Sequence, residues 1–201
     1  MLFEFDRSIR AQGYEKIAGV DEAGRGCIAG PVVAASVILP EDIVIEGVND
    51  SKALTENQRE RLFRLIRKAA LSIGVGIVSP QEIDRINILN ASVEAMTLSL
   101  RRLRVAPDLV IIDALELPGH WHQLSLIKAD QKSASVAAAS IVAKVIRDRI
   151  MRALHRRYPH YGFDKNKGYA TRAHVKALKR IGPCPEHRRS FSPVIEVGLF
   201  E

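Results

Sequence analysis

The chain has 201 residues, a hydrophobic fraction of 47% and a formal net charge of +7. This length and composition are typical of one globular domain with a full hydrophobic core, so we expect a single domain over residues 1–201. No apolar run approaches the roughly 20 residues that a membrane-spanning helix needs, and the charged N-terminus lacks the apolar stretch of a signal peptide. We therefore expect a cytoplasmic protein with no membrane partner.

The first part of the chain alternates between strand and helix patterns. Runs rich in Val, Ile and Ala at residues 17–20 and 31–39 predict two strands joined by a glycine-rich loop, and a shorter strand is expected near 43–45. Thr55 opens a capping-box sequence, Thr-Glu-Asn-Gln, and apolar residues then recur with helical period, which predicts a helix. The alternating run 71–78 predicts another strand.

The central part continues the alternation. Ser79 and Pro80 supply an N-cap and a proline at the first helical position, so a short helix should follow, and then a longer one over about 91–104. Residues 109–112 are wholly apolar, as in buried parallel strands. This predicted strand ends on Asp113.

The last part is mainly helical in pattern. A further strand over 124–128 ends near Asp130, and residues 133–157, rich in Ala, Ile and Val and then in Arg, predict a long helix. The final predicted helix, 171–181, stops at a Gly-Pro pair, as helices commonly do. Strands that alternate with helices predict an α/β layer fold.

Positive charge is concentrated towards the C-terminus. From Lys144 to Arg189 there are fourteen basic residues and three acidic ones, so the rest of the chain is net acidic. A basic region beside an acidic remainder is typical of a protein that binds a polyanion such as nucleic acid, and interleaved aromatic residues favour nucleotides. A solvated helical face would produce the same charge run and stays open as an alternative.

Cysteine usage indicates a reduced protein. Cys27 and Cys184 are too few for a disulfide framework, so both are expected to be free thiols. Cys184 and His187 have a spacing found in zinc sites. Two candidate ligands do not make a tetrahedral site, so zinc is not expected.

Acidic residues follow three of the predicted strands: Asp21 and Glu22, then Asp113, then Asp130. Ligands of open α/β sheets bind outside the carboxyl ends of the strands, so these acids can share one crevice if the strands are neighbours. Four uncompensated acids would repel one another. Hard oxygen ligands without a matching His or Cys set select Mg²⁺ or Mn²⁺. Two such ions, about 4 Å apart, can activate a water and stabilise the leaving oxygen in phosphodiester cleavage.

The sequence Gly24-Arg25-Gly26 follows the first acid pair and predicts a turn. Adjacent strand residues point to opposite faces, so we expect the chain to turn at Asp21 and Glu22 if both serve one site. Glycine supplies such a turn and lets a backbone come close to a ligand, and Arg25 is a fixed cation suited to phosphate. For a single Asp-Glu pair, a solvated charged turn is the simpler alternative.

Six short blocks occur in order along the chain. They are Asp-Glu-Ala-Gly-Arg-Gly at 21–26, Asn-Asp-Ser-Lys at 49–52, Lys-Ala-Asp at 128–130, the Ala-rich block 137–148, Lys-Gly-Tyr-Ala-Thr at 167–171 and His-Arg-Arg-Ser-Phe at 187–191. Together they resemble the bacterial ribonuclease HII family, a type 2 ribonuclease H, from about Gly19 to Val194.

The resemblance implies an RNase H-like fold, with a central mixed sheet flanked by helices and a basic helical region, about 145–201, packed on it. It implies a metal-dependent endonuclease that cleaves the RNA strand of RNA–DNA hybrids. It also implies nicking on the 5′ side of single ribonucleotides embedded in duplex DNA, which leaves 3′-hydroxyl and 5′-phosphate ends. RNA–DNA hybrids and ribonucleotide-containing DNA duplexes are the implied partners, and a monomer is expected.

Carried over by residue, the catalytic and metal-holding acids of the family fall on Asp21, Glu22, Asp113 and Asp130. These are the four acids that the strand-end pattern selects. The implied cofactor is Mn²⁺ or Mg²⁺, with two ions per site during catalysis.

The resemblance also gives Gly24, Arg25 and Gly26 the role of reading the ribose 2′-hydroxyl, with Tyr169 stacking on the sugar beyond the junction. The 2′-hydroxyl is the group that distinguishes RNA from DNA at one position, and the backbone of a glycine turn can approach it closely. Without this context, Tyr169 would be an ordinary amphipathic surface residue.

Further contacts with phosphates are expected at Ser51, Lys52 and Lys144. Ser140 lies on an Ala-rich helix, where close helix packing is an equal alternative to a phosphate contact. His187, Arg188 and Arg189 are expected either to touch nucleic acid or to secure the C-terminus, and both roles stay open.

Three residues depart from the family pattern. Cys27 stands where many relatives have proline, and Ala114 and Ala129 stand where glycine is frequent. None of these changes removes a carboxylate. We expect them to alter loop geometry, and through it the preferred metal or the rate.

Three other functions fit these residues less well. A two-metal nuclease or strand-transfer enzyme that ignores the 2′-hydroxyl is disfavoured by the Gly-Arg-Gly turn and Tyr169. A hybrid-binding module without activity is disfavoured by the four acids, because clustered negative charge repels phosphate. A glycosidase built on Asp21 and Glu22 is disfavoured by an aromatic content of 5% and leaves the basic region unexplained.

Overall fold

A five-stranded mixed sheet lies at the centre of the protein. The computed structural model describes residues 2–48 and 54–198. The strands are β1 (Ile17–Ala23), β2 (Val32–Ile38), β3 (Ser72–Val78), β4 (Leu109–Asp113) and β5 (Gln123–Leu126), in the spatial order β3-β2-β1-β4-β5. β2 is antiparallel to β1 and β3, whereas β1, β4 and β5 are parallel to one another. The carboxyl ends of β1, β4 and β5 therefore lie at one edge of the sheet.

Helices cover both faces of the sheet. They are α1 (Leu2–Arg10), α2 (Glu56–Ala69), α3 (Pro80–Ile86), α4 (Ile88–Arg101), α5 (Ala134–Arg157), α6 (Phe163–Asn166), α7 (Arg172–Ile181) and α8 (Val194–Gly198), with 3₁₀ turns at Ala129–Gln131 and Pro159–Tyr161. On one face, α5 and α2 pack around Ala35 and Val37 of β2. On the other face, α4 packs on Ala18 and Ala34. The expected central mixed sheet flanked by helices is confirmed.

Local sequence signals account for several helix ends. Thr55 accepts a hydrogen bond from the Gln58 N–H and donates its own N–H to the Gln58 side chain, which is a complete capping box. Ser79 caps α3, with Pro80 at the first helical position. Gly182, at a φ of 71°, ends α7. No helix in the described ranges combines the length and apolar character that a bilayer crossing requires.

The structure corrects one prediction about secondary structure and adds one helix. Residues 43–45 form a loop, not a strand. Ile45 of this loop is buried against α2 and α5, whereas Val44 is exposed. The helix α1 was not predicted. It is anchored by the buried carboxylate of Asp6, which accepts hydrogen bonds from the N–H and the hydroxyl of Ser135 at 2.9 and 2.7 Å.

Candidate functional site

The four strand-end acids are brought to one edge of the sheet. Asp21 and Glu22 occupy the last part of β1, Asp113 ends β4, and Asp130 lies in the 3₁₀ turn after β5. β1 and β4 are parallel, with Val20 beside the residue that precedes Asp113, so the acids of these two strands lie at the same level. Asp21 is 8% exposed and Asp130 is 4% exposed, so most of this negative charge is buried.

β1 continues through both of its acids, which corrects the expectation that the chain turns at this pair. Asp21 and Glu22 both belong to the ladder with β2, so their side chains leave opposite faces of the sheet. They still lie close enough at this edge for the charge of Glu22 to raise the pKa of Asp21, so both acids can serve one site without a turn. Asp21 lies on the side of α5, where Ser140 hydrogen-bonds to it. Oε1 of Glu22 accepts a hydrogen bond from Nη1 of Arg25 at 3.3 Å. The glycine turn begins only at Gly24.

Burial and mutual repulsion raise the pKa values of the first two acids. Burial raises the pKa of Asp21 to about 8, and the charges of Glu22 and Asp130 act in the same direction. Burial also raises the pKa of Glu22, although Arg25 opposes this shift, and the charge of Asp113 adds to it. Asp21 and Glu22 are therefore both affected by other acids of the set, and ionising them together is costly without a counter-charge.

These acids have the donor chemistry of a hard-cation site, but not a closed ligand cage. Within residues 2–48 and 54–198, no three His, Cys, Asp or Glu side chains form a group that could hold a metal ion. Backbone N–H groups occupy two carboxylate oxygens: Oδ1 of Asp21 accepts from Glu22 at 2.8 Å, and Oδ1 of Asp113 accepts from Ala129 at 3.0 Å. Oxygen-only donors with unbalanced negative charge fit Mg²⁺ or Mn²⁺. These hydrogen bonds use one oxygen of each carboxylate and leave its other oxygen for a cation.

The turn at 24–26 contains one glycine that folding requires and one that it does not. Gly24 has a φ of +103°, and a Cβ atom there would lie 2.1 Å from Nε of Arg147. Gly26 is exposed, its φ is outside the left-handed region, and a Cβ atom there would meet nothing within 4 Å. Open space around a glycine in an ordinary conformation is suited to the close approach of a ligand.

Tyr169 lies next to this turn. The carbonyl of Gly168 accepts hydrogen bonds from the N–H groups of Ile28 and Ala29 at 2.9 and 3.3 Å, which joins the Tyr169 segment to the residues after the turn. Gly168 has a φ of +85°, and a Cβ atom there would lie 2.3 Å from the carbonyl oxygen of Ala29. Tyr169 itself is 46% exposed, so its ring is accessible beside the turn.

Two buried histidines form a hydrogen-bonded pair under Tyr169. Nδ1 of His174 lies 2.8 Å from the Tyr169 carbonyl oxygen, and the Nε2 atoms of His174 and His187 lie 3.0 Å apart. The N–H of Cys184 donates to Nδ1 of His187 at 3.1 Å. A carbonyl can only accept and a backbone N–H can only donate, so the proton of His174 is on Nδ1 and that of His187 is on Nε2. Both rings are therefore neutral.

The pKa values of this pair agree with the neutral forms. Burial lowers the pKa of His187 to about 4, and His174 contributes to the lowering. Burial also lowers the pKa of His174. Both cysteines are free, as expected, and the structure also buries both of them. Although Cys184 and His187 are in contact, no third zinc ligand joins them among the described residues.

The expected phosphate contacts have specific surroundings. Nζ of Lys144 forms an ion pair with Asp148 at 2.7 Å, and the Lys144 side chain is 20% exposed. Ser140 is 4% exposed and bonds to the first acid of β1, a role that its sequence context did not indicate. Ser51 and Lys52 lie outside the described residues.

Only part of the basic C-terminal region is available at the surface. Arg147 and Arg188 have no exposure, and Arg149 and Arg152 form ion pairs with glutamates of α2. The exposed basic residues outside these pairs are Arg156, Arg157, Lys165, Arg172, Lys176, Lys179, Arg180 and Arg189. The charge count of the sequence therefore overstates the surface that a polyanion could contact.

His187 and Arg188 are interior, which favours a role in securing the C-terminus over contact with nucleic acid.

Known proteins resemble this chain over nearly its whole length. The family model described as Ribonuclease HII matches residues 18–194. Ribonuclease HII of Acetivibrio thermocellus is 54% identical over 189 residues, which cover 94% of this chain and 74% of the relative. Ribonuclease HII of Chlamydia trachomatis serovar D is 52% identical over 201 residues, covering 98% and 93%. The crystal structure of ribonuclease H2 from Pyrococcus horikoshii matches with a TM-score of 0.78 at 31% identity, covering 92% and 98%.

Proposed function

The chain belongs to the ribonuclease HII family and has its RNase H-like fold, and on this premise we propose how its site selects and cleaves a substrate. The family makes it a ribonuclease H, an endonuclease that acts on RNA–DNA hybrids. We propose that it also nicks on the 5′ side of single ribonucleotides in duplex DNA and leaves 3′-hydroxyl and 5′-phosphate ends. The observation that carries this proposal is the position of the open Gly26 backbone, three residues beyond the end of the acid-bearing strand β1.

Recognition of the ribonucleotide is assigned to the glycine turn and Tyr169. The 2′-hydroxyl is the group that distinguishes a ribonucleotide from a deoxyribonucleotide at one position. To detect it, the protein must bring hydrogen-bonding groups directly against the sugar. The backbone at Gly26 is exposed and unobstructed, and Arg25 is an exposed cation beside it. The accessible ring of Tyr169 is available to stack on the sugar beyond the junction.

Cleavage is assigned to Asp21, Glu22, Asp113 and Asp130, which we propose hold the divalent cations, Mg²⁺ or Mn²⁺, with two ions present during catalysis. Bound cations of this kind supply an activated water and neutralise charge at the phosphorus. The residues of the chain provide the oxygen ligands and hold them in place. Ser140 fixes Asp21 from the side of α5. Arg25 holds Glu22 through the hydrogen bond from Nη1 to Oε1.

Binding of the nucleic-acid backbone is assigned to the exposed basic residues and to Lys144, together with Ser51 and Lys52. An ammonium group has three donors. Asp148 accepts one of them from Lys144, so the other donors remain for a phosphate oxygen. One chain supplies all four acids, the turn and Tyr169, so we propose that it acts as a monomer.

A DNA duplex with one ribonucleotide and a 5′ label tests this proposal. Cleavage is measured with Mg²⁺, with Mn²⁺ and with chelator, and the cut is mapped to the nucleotide. A metal-dependent nick on the 5′ side of the ribonucleotide is expected, and Asp21→Asn should abolish it. Cleavage of long hybrids without a cut at the single ribonucleotide would refute the proposed reading of one 2′-hydroxyl. A cut in chelator would refute the proposed role of the acids.

A further inference from the structure

Two arginine side chains without any exposure lie beneath the glycine turn. The first, Arg188, donates from Nη2 to the Gly24 carbonyl at 2.7 Å and from Nη1 to the Arg25 carbonyl at 2.9 Å. Its Nε and Nη2 also donate to the carbonyl of Gly30, at 3.0 and 2.9 Å. A single guanidinium group therefore holds both ends of the loop that follows β1.

The second guanidinium group, that of Arg147, joins this loop to the Tyr169 segment. Its Nε donates to the carbonyl of Pro31 at 2.9 Å, and its Nη2 donates to the carbonyl of Ala29 at 3.1 Å. Its Nη1 donates to the carbonyl of Lys167 at 2.8 Å. Lys167 lies two residues before Tyr169, so Arg147 ties both sides of the proposed ribose site to α5.

These guanidinium groups are costly to bury. In the described part of the chain, neither forms an ion pair with a carboxylate, and their partners are carbonyl oxygens. Burial lowers the pKa of Arg188 to about 10, which reflects the cost of removing its charge from water. Apolar side chains would fill the same space at lower cost but would leave the carbonyls free to turn. The arginines therefore fix the direction of these peptide groups.

The direction matters because the C=O and N–H of one trans peptide point opposite ways. The Gly24 carbonyl shares its peptide with the N–H of Arg25, and the Arg25 carbonyl shares its peptide with the N–H of Gly26. Since Arg188 draws both carbonyls inward, both N–H groups point away from it. Arg25 and Gly26 are exposed, and within the described ranges neither N–H donates to a protein acceptor.

We propose that Arg188 is a positioning residue that presents the N–H groups of Arg25 and Gly26 as a fixed pair of donors to the ribose 2′-oxygen. Arg147 is its counterpart and sets the distance from this donor pair to Tyr169. This inference rests on the proposed function, because it explains how the same turn reads the sugar. Neither arginine touches the substrate.

Binding preference separates this role from a purely structural one. In the Asp21→Asn background, which prevents cleavage, Kd is measured for a duplex with one ribonucleotide and for the same duplex made only of DNA. Arg188→Lys keeps the charge but cannot span the three carbonyls. We expect it to reduce the ribonucleotide preference about tenfold and to leave the Kd for the all-DNA duplex unchanged. A loss of folded protein would weaken both apparent affinities alike and leave their ratio unchanged.

A matched control is Arg10→Lys in the same background. Arg10 also donates to carbonyls, those of Glu15 and Leu39, but in α1. The control should keep the full preference. If the Asp21→Asn protein shows no preference for the ribonucleotide, the proposed function fails. If it shows the preference, and Arg188→Lys retains both this preference and the original Kd for the all-DNA duplex, the positioning role is overturned.

Arg147→Lys provides a second test that does not depend on the folding of the Arg188 variant. If Arg147 acts through Tyr169, Arg147→Lys should lower the ribonucleotide preference of a protein that retains Tyr169. The same substitution should have no further effect on the preference in a Tyr169→Ala background. Additive losses in the double variant would overturn this part of the inference.

Discussion

His174 and His187 are joined by a hydrogen bond between their Nε2 atoms at 3.0 Å, and Nδ1 of His174 hydrogen-bonds to the carbonyl of Tyr169. The proton between them is donated by His187 and accepted by His174. A second proton on either ring would place two N–H groups against each other or against the N–H of Cys184. The support beneath Tyr169 therefore requires neutral histidines.

Acidification should destabilise the protein through this pair. The pKa of His187 falls from an ordinary 6.5 to about 4 on folding. Between these values the unfolded chain binds a proton that the folded chain does not, so the unfolding free energy falls as the pH is lowered. The contribution is fully present above pH 6.5. Its loss by pH 4 corresponds to about 3 kcal/mol. Urea denaturation at several pH values across this range measures the slope of the unfolding free energy against pH.

His187→Asn is the informative variant for this slope. Asparagine can still accept from the Cys184 N–H but does not titrate, so the pH dependence of the unfolding free energy should flatten. His160→Asn, at an exposed histidine, should keep the slope of the unmodified protein. Equal slopes in the two variants would show that His187 is not the source of the acid sensitivity.

Asp21→Asn should stabilise the metal-free protein at alkaline pH. The pKa of Asp21 rises from 3.8 to about 8 on folding, so the folded state loses stability as the pH increases between these values. Asparagine cannot ionise and avoids this loss. We expect a gain of about 1–2 kcal/mol above pH 8, the size of common stabilising substitutions. Thermal unfolding in chelator measures it.

The same variant should respond less to added cations. Mg²⁺ or Mn²⁺ should raise the Tm of the unmodified protein by relieving repulsion among the acids, and this rise should shrink in Asp21→Asn. Asp42→Asn, at an exposed acid away from the site, should show neither effect. An unchanged metal-induced rise in Asp21→Asn would exclude this carboxylate as a ligand.

Secondary structure was predictable where a residue and its close neighbours determine it. Thr55 and Ser79 begin helices because their side chains bond to backbone groups three residues away. The loop at 43–45 was predicted as a strand, but Ile45 is buried by tertiary packing and not by strand pairing. α1 was missed because its anchor, Asp6, bonds to Ser135, 129 residues away.

Site residues were predictable where topology alone brings them together. Parallel strands share a carboxyl edge, so acids at or just after the ends of β1, β4 and β5 could be grouped from the sequence. The burial of Arg147 and Arg188 beneath the glycine turn could not be recognised, because arginines within a basic region have the pattern of surface residues. Their burial depends on carbonyls of distant segments. The exposed, unobstructed backbone at Gly26 likewise becomes visible only when its surroundings are known.

Ala114→Gly should stabilise the protein. Ala114 follows Asp113 with a φ of 52°, a left-handed conformation that costs a residue with a Cβ atom about 1–2 kcal/mol. The residue is exposed, so no packing is lost. A gain of about 1 kcal/mol is expected after the entropy of glycine in the unfolded chain is included. Chemical denaturation measures this gain.

Ala129→Gly is the matched control, because it replaces the other alanine that stands where glycine is frequent. Ala129 is fully buried and is not among the residues with positive φ. Glycine should therefore destabilise the protein there, by about 1 kcal/mol or more. Stabilisation by both substitutions would show that backbone strain at Ala114 is not the cause.

Gly26→Ala should separate folding from recognition. The conformation at Gly26 suits alanine and the space around it is open, so the unfolding free energy should stay within about 0.5 kcal/mol of its original value. If the ribose comes against this backbone, the added methyl group occupies the space that the sugar needs. The value of kcat/KM for nicking at a single ribonucleotide should then fall at least about tenfold.

Gly24→Ala should behave in the opposite way. Its φ of +103° and the 2.1 Å approach to Arg147 make alanine incompatible with the fold, so stability should fall by more than about 1 kcal/mol. Circular dichroism and nicking assays on both variants distinguish the two glycines. A stable Gly26→Ala protein that nicks at the original rate would mean that the sugar does not approach the backbone at Gly26. Reading of the 2′-hydroxyl would then have to be reassigned to the side chains of Arg25 and Tyr169.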